Sequence, residues 1–312
     1  MTTQAILLIA AVPDALLDRL ASAWTVHRLF EQDDPQTFLA DKGDTIKAVV
    51  TRGDVGVRKE VLEQLPNAGL VAVFGVGTDA IDLNYTRSKN IAVTITSGVL
   101  TNDVADMAMG LLLAASRRLC QGDSFVRQGK WLNTAPTLGN QVSGKRIGIL
   151  GMGNIGQAIA RRAAGFDMQI SYTSRSRHDA LPYAWHDDVQ SLARDSDFLV
   201  IAAAGGESTK GLVNADVLHA LPKHAWLINI ARGTLVDQSA LIQALRKGDI
   251  AGAALDVYEQ EPQVPEELIA MSNVVLQPHV GSATHETRQK MSDVVFANVE
   301  AFFKADDLPN AI

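Results

Sequence analysis

Three short stretches carry the side chains best suited to chemistry, and each one follows an apolar run. Ala231-Arg232-Gly233 follows Ala225 to Ile230, the stretch Asp256 to Pro262 follows Ile250 to Leu255, and Gln277-Pro278-His279-Val280-Gly281-Ser282 follows Asn273 to Leu276. An Arg binds a carboxylate or polarises a carbonyl through two parallel hydrogen bonds. A His transfers protons near neutral pH, and a neighbouring carboxylate orients it. Taken singly, each residue has an ordinary structural reading: Arg232 as an ion-pair partner, Glu261 as surface, His279 as a packed turn residue. At three successive strand ends, Arg232, Glu261 and His279 read together as a set for proton transfer beside a bound acid or carbonyl.

The element that must lie beside them is Lys145 to Ala163. It reads as a short apolar strand, a glycine turn Gly151-Met152-Gly153-Asn154-Ile155-Gly156, and a helix. Gly151 permits the tight turn, Gly153 lets backbone N–H groups approach a pyrophosphate, and Gly156 lets helix and strand pack closely. The helix N-terminus then faces phosphate with its partial positive charge. Because strand and helix are both legible around the glycines, the stretch is expected to hold a dinucleotide.

The rest of the chain alternates strand and helix. Residues 1–98 contain apolar runs at Ala5 to Ala10, Thr25 to Leu29, Ile46 to Thr51, Leu70 to Phe74 and Ile91 to Thr94. Pro13 suits the start of a helix carrying Leu16, Leu17 and Leu20. Two strand ends stand out, one bearing Arg52 and the other Gly75-Val76-Gly77, a turn able to present N–H groups to an anion. For Arg52, a structural ion pair and a substrate contact are both open readings. Thr101 precedes a long helix, Asp103 to about Leu119, apolar enough to be buried between two domains. Residues 120–144 show no clear long period and read as an arm or connection. Its Phe125, Trp131 and Leu132 face either a second subunit or their own chain. After the glycine turn come strands at Met168 to Tyr172, Phe198 to Ala202, Ala225 to Ile230, Ile250 to Leu255 and Asn273 to Leu276, with a helix at Gln238 to Lys247 ended by Gly248. A last amphipathic helix starts near Thr284. This alternation predicts parallel, doubly wound sheets.

Composition narrows the function. The chain has 312 residues, 47% of them hydrophobic, and a formal net charge of −7 without basic blocks. That argues against nucleic acid or a membrane as partner. Cys120 is the only cysteine, so neither an intramolecular disulfide nor a Cys-based metal site is expected, and no metal is expected elsewhere. The N-terminus has no basic n-region and its first apolar run is too short to span a bilayer, so a cytoplasmic location is expected.

On these residues the chain resembles the D-isomer-specific 2-hydroxyacid dehydrogenase family. The resemblance spans nearly the whole chain. It rests on Gly151 to Gly156, Asn229-Ile230-Ala231-Arg232-Gly233, Asp256 to Pro262 and Pro278 to Thr284. The runs Phe166 to Arg177 and Gly281 to Arg288 make it most similar to glyoxylate/hydroxypyruvate reductases and plant hydroxyphenylpyruvate reductases. The resemblance implies two doubly wound parallel-sheet α/β domains, Rossmann- or flavodoxin-like, with a cleft between them. Residues 1–99 and 285–312 would form the substrate-binding domain and 100–284 the dinucleotide-binding domain.

It also implies roles. His279 would be the acid/base, Glu261 its partner and Arg232 the substrate anchor. Val76 and Gly77 would hold the substrate carboxylate through their backbone, with Arg52, Leu100 and Ser282 as further pocket residues. Cofactor contacts would come from Gly151, Gly153, Asn154, Ile155, Gly156, Thr173, Ser174, Arg175, Arg177, Ala202, Ile230, Ala231, Asp256 and Gly281, with Asp256 receiving the nicotinamide carboxamide. The adenine-side run Ala202 to Glu207 departs from the family's Pro-x-Thr pattern. Some formate dehydrogenase relatives have Gln in place of Glu261, so formate oxidation is not expected. A ribose 2′-OH is normally accepted by an acid about 20 residues past the glycines. Here no acid lies between Met168 and His178, and Ser174, Arg175 and Arg177 suit a 2′-phosphate. The expectation is therefore NADPH (NADP+) rather than NADH, in a homodimer that reduces glyoxylate, hydroxypyruvate or an aryl-pyruvate to the D-2-hydroxy acid. A 2-keto sugar acid is an alternative substrate. A non-catalytic, dinucleotide-sensing corepressor-like protein is the alternative from another class.

Overall fold

The apolar runs of the first hundred residues become five parallel strands. In the computed structural model, which describes residues 4–312, the chain runs β1 (Ala5–Leu8), α1 (Asp14–Ala23), β2 (Thr25–Arg28), α2 (Pro35–Lys42), β3 (Ile46–Arg52), α3 (Lys59–Leu62), β4 (Leu70–Phe74), α4 (Leu83–Ser88) and β5 (Ala92–Thr94). The strands are ordered β2-β1-β3-β4-β5. Strands β1 and β4 are buried along their length, as their unbroken apolar sequence requires when helices cover both faces. Leu7, Val49, Val71, Val73 and Val93 lie in one buried cluster of this sheet.

The second sheet follows α5 (Thr101–Ser116) and α6 (Leu119–Arg127). Its elements are β6 (Arg146–Leu150), α7 (Asn154–Ala164), β7 (Gln169–Thr173), β8 (Ala184–Trp185), α8 (Val189–Arg194), β9 (Phe198–Ile201), α9 (Ala215–Ala220), β10 (Trp226–Asn229), α10 (Gln238–Lys247), β11 (Gly252–Leu255), α11 (Glu266–Ala270) and β12 (Val274–Leu276). The order is β12-β11-β10-β9-β6-β7-β8, all parallel. The winding reverses between β6 and β9, the position where sheets of this kind bind ligands beyond their carboxyl ends. Helix α5 packs on α7, β10 and β11, and Leu199, Leu227, Ala253 and Leu255 anchor the core. The last helix, α12 (His285–Lys304), packs against β4 of the first sheet. Backbone contacts accordingly divide the chain into one unit of Met1–Leu100 with Ala283–Ile312 and another of Thr101–Ser282. Among the described residues no helix is long and apolar enough to cross a membrane.

Local signals set the helix ends. Asp237 caps α10 by accepting from the Ala240 N–H, and Gly248 closes it at φ 68°. Thr284 caps α12 by accepting from the Thr287 N–H. Two elements differ from the sequence reading. The helix expected to reach Leu119 stops at Ser116, because Arg118 turns to φ 55° and α6 starts afresh. None of the α6 residues is buried, so no core-facing period announces this helix within the expected connection. The two-residue edge strand β8 extends the sheet from six expected strands to seven, and a run that short carries no alternation.

Candidate active site

Asp256, the first residue after β11, is the hub of the His279 loop. Its backbone carbonyl accepts the His279 N–H at 2.8 Å. Its carboxylate accepts the Val280 N–H at 2.8 Å and the Gly281 N–H at 2.7 Å. These bonds hold His279 at φ 53°, a left-handed conformation uncommon outside glycine. Burial pushes the Asp256 carboxyl above its ordinary range, against the pull of the two N–H bonds. Tyr258 ties the same loops together. Its hydroxyl donates to the Gln277 carbonyl at 2.9 Å, and burial lifts the phenol to about 12, so it stays a protonated donor.

Glu261 is fixed through both oxygens. Oε1 accepts the Tyr258 N–H at 3.0 Å, and Oε2 lies 2.5 Å from His279 Nδ1. A carboxylate accepts only, so Nδ1 carries its hydrogen toward Glu261. Nε2 is then the ring nitrogen available for exchanging a proton with a substrate.

Arg232 is positioned by Asn229, the last residue of β10, which is 1% exposed. Asn229 Oδ1 accepts the Ala231 N–H at 3.0 Å and Nδ2 donates to the Arg232 carbonyl at 2.9 Å. Arg232 Nη1 donates to the Ala231 carbonyl at 2.8 Å. The next residue is glycine for a steric reason: a Cβ there would strike the Tyr258 carbonyl and the Glu259 nitrogen. Gly233 thus lets the Arg232 turn abut the loop that carries Glu261. The sequence reading named Arg232, Glu261 and His279 but gave no role to Asn229 or Tyr258. A polar Asn ending an apolar strand is the signal of an Asx-type turn; nothing local in sequence reveals the Tyr258 bond to Gln277.

The glycine turn after β6 is arranged for an anion. Gly151 sits at φ 99°, and a Cβ on Gly156 would strike the Gly151 carbonyl oxygen. Packing within the protein therefore requires both. A Cβ on Gly153 would meet no protein atom within 4 Å, so nothing in the chain itself demands glycine there. No side chain caps α7, and among the described residues no acceptor serves the N–H of Asn154 or Ile155. Ala202 follows β9 and donates its N–H to Leu150 at 2.8 Å, which sets the Ala202–Ala203 backbone against Gly151. Ile230 is buried and follows β10. Beyond β7, Thr173 is buried, Ser174 Oγ donates to the Ser176 carbonyl at 2.7 Å, and Arg177 pairs with Asp179 at 3.0 Å. Arg175 is exposed and has no ion-pair partner among the described residues. The donors, the uncapped helix and the unfilled space at Gly153 fit a phosphate-bearing dinucleotide. Among the described residues no His, Cys, Asp and Glu cluster is suited to a metal ion.

In the other unit, Arg52 ends β3 and its Nε and Nη2 donate to the Asp54 carboxylate, with Nε–Oδ1 at 3.0 Å, which realises the ion-pair reading. Arg52 is in register with Phe74, and Gly53 donates its N–H to the Phe74 carbonyl. After Phe74 come Gly75, Val76 and Gly77. The N–H groups of Val76 and Gly77 have no hydrogen-bond partner among the described residues. Leu100 is buried, and Ser282, in the dinucleotide-type unit, is partly exposed.

Two wound parallel sheets, a glycine turn at the switch point and an Arg–Glu–His set at neighbouring strand ends define a dinucleotide-linked dehydrogenase scaffold. Residues 109–281 match the family model described as "D-isomer specific 2-hydroxyacid dehydrogenase, NAD binding domain", and the chain belongs to the D-isomer-specific 2-hydroxyacid dehydrogenase family. It is 43% identical to a glyoxylate/hydroxypyruvate reductase A of Arabidopsis thaliana over 308 residues, covering 99% of this chain and 98% of that one. It is also 43% identical to a hydroxyphenylpyruvate reductase of Plectranthus scutellarioides, covering 97% of each. Among solved structures, an NADPH-dependent glyoxylate/hydroxypyruvate reductase of Sinorhizobium meliloti, in complex with NADP and malonate, superposes with a TM-score of 0.94. That protein is 38% identical, with 99% of this chain and 97% of the other covered.

Proposed function

We propose that this protein is an NADPH-dependent reductase that converts a 2-keto acid, namely glyoxylate, hydroxypyruvate or an aryl-pyruvate, to the D-2-hydroxy acid. The observation that carries the reading is the Glu261–His279 pair, held at 2.5 Å beside the Arg232 turn. When bound, the reduced nicotinamide supplies a hydride to the keto carbon. His279 Nε2 gives the proton that the keto oxygen takes up, while Glu261 holds the Nδ1 side of the ring. Arg232 binds the keto acid through its guanidinium, and the Val76 and Gly77 N–H groups donate to its carboxylate. Asp256 keeps the His279 loop in its left-handed turn and receives the carboxamide of the cofactor. The backbone at Gly153, Asn154 and Ile155 holds the pyrophosphate. Arg175 is the main contact to a 2′-phosphate, because Arg177 is already paired with Asp179.

We read the assembly as a homodimer, supported by the apolar surface of Trp131, Leu132 and Leu138, which are 67%, 88% and 90% exposed; sedimentation analysis decides this. The activity is tested by following NADPH and NADH absorbance with glyoxylate, hydroxypyruvate, an aryl-pyruvate and a 2-keto sugar acid. The reading expects turnover of one of the first three with NADPH at a clearly higher kcat/KM than with NADH. Turnover of the sugar acid alone would reassign the substrate. Dinucleotide binding without oxidation by any keto acid would favour a sensor.

A further inference from the structure

The single arginine of the Ala283–Ile312 segment has no ion-pair partner among the described residues. Arg288 lies in the first turns of α12 and is partly buried. Its guanidinium carbon lies 5.5 Å from the centroid of the Phe74 ring. Among the described residues it has neither an ion-pair partner nor a side-chain hydrogen bond. Asp54, an acid whose charge acts on it, makes two hydrogen bonds to Arg52. Burial, followed by repulsion from Arg52, lowers the Arg288 pKa, with Asp54 offsetting part of this. Withdrawing a guanidinium from water without pairing it is costly, and stacking on a Phe ring returns only part of that cost.

Phe74 is also the residue that leads directly into the Gly75-Val76-Gly77 turn. That turn carries two backbone donors with no partner among the described residues. A half-desolvated cation and two adjacent N–H groups therefore lie at the end of a single strand. All three donate and none accepts, the recognition pattern of a carboxylate. We propose that Arg288 is a substrate-binding residue, supplying the positive charge that pairs with the 2-keto acid carboxylate held by Val76 and Gly77. Arg52, neutralised by Asp54, serves instead to position the strand end. This assignment rests on the keto acid reading above and adds the residue that makes the turn selective for an acid over an uncharged carbonyl.

The test compares wild type with Arg288→Met and Arg288→Lys, using glyoxylate and its uncharged methyl ester as substrates and NADPH as donor. A charge-assisted hydrogen bond of ordinary strength predicts that Arg288→Met raises the KM for glyoxylate by about tenfold to a hundredfold, with the KM for the ester changing less than about threefold. Arg288→Lys is expected to recover part of the loss, since it keeps the charge but not the fork. An equal effect on acid and ester, or no effect on either, overturns the proposal and leaves Arg288 a packing residue on Phe74. Calorimetric titration of the NADPH-loaded protein with oxamate, an unreactive mimic of a 2-keto acid, separates the two layers. If wild type reduces no keto acid yet binds oxamate more than tenfold better than Arg288→Met, the functional reading fails and the Arg288 assignment stands. Equal oxamate affinity in both proteins overturns the assignment.

Discussion

Replacing Glu261 by Gln keeps the shape of the side chain and removes its charge, which makes it a direct probe of how the His279 ring is set. In the native arrangement Oε1 accepts from Tyr258 and Oε2 accepts the Nδ1 hydrogen at 2.5 Å. A glutamine has one acceptor for these two donors. If its oxygen keeps Tyr258, its amide donates to Nδ1, the neutral ring carries its hydrogen on Nε2, and the ring bearing both hydrogens faces the amide N–H with nothing to accept from it. If the amide turns round, the Tyr258 N–H loses its acceptor. Either way one charge-assisted hydrogen bond, worth about 1.5–3 kcal/mol, is lost from the state in which His279 gives up its proton. That corresponds to a fall in kcat of about tenfold to a hundredfold, below the ceiling of about 10²–10⁴ that a general acid contributes. The assay is steady-state turnover at saturating NADPH and keto acid, with the KM for NADPH measured alongside. The NADPH constant is expected to hold, because the glycine turn after β6 is untouched. A kcat within threefold of wild type for both Glu261→Gln and Glu261→Ala would refute the ring-setting argument.

Arg175→Gln is expected to raise the KM for NADPH by about tenfold with little change for NADH, consistent with loss of one charged contact to a phosphate. Arg177→Gln is expected to do less, since Arg177 is already paired with Asp179; the ratio of kcat/KM for the two cofactors reads both. Away from the site, burial raises the Asp197 carboxyl, but its hydrogen bonds from Arg146 and His224 prevail and hold it well below its usual value of 3.8. Its stabilising effect is therefore complete above about pH 4 and fades as pH falls toward the lowered value. Asp197→Asn is expected to lower stability at pH 7 by about 1–3 kcal/mol. The difference from wild type should shrink below about pH 4 in thermal melts.

The sheets were legible because parallel strands covered on both faces are written as unbroken apolar runs, such as Leu70 to Phe74 and Phe198 to Ile201. Arg232, Glu261 and His279 stood out in the sequence because each lies within six residues of the end of such a run. What escaped was of two kinds. Helix α6 buries nothing and β8 spans two residues, so neither leaves a core-facing pattern. The supporting contacts of the site join residues far apart in sequence. Asp256 reads as a carboxylate beside Glu261, and only the fold reveals that its oxygens take the Val280 and Gly281 N–H groups 24 and 25 positions later. Arg288 is similar: its stacking on Phe74 depends on α12 returning to β4.

The central claim is that His279 supplies the proton in reduction of a 2-keto acid. The measurement that bears on it most directly is kcat for hydroxypyruvate at saturating NADPH in wild type and in His279→Ala, with NADPH binding measured in both. Steady turnover by wild type, a loss of about 10²–10⁴ in the variant and unchanged NADPH affinity are predicted. A variant that retains more than a tenth of wild-type turnover would contradict the claim.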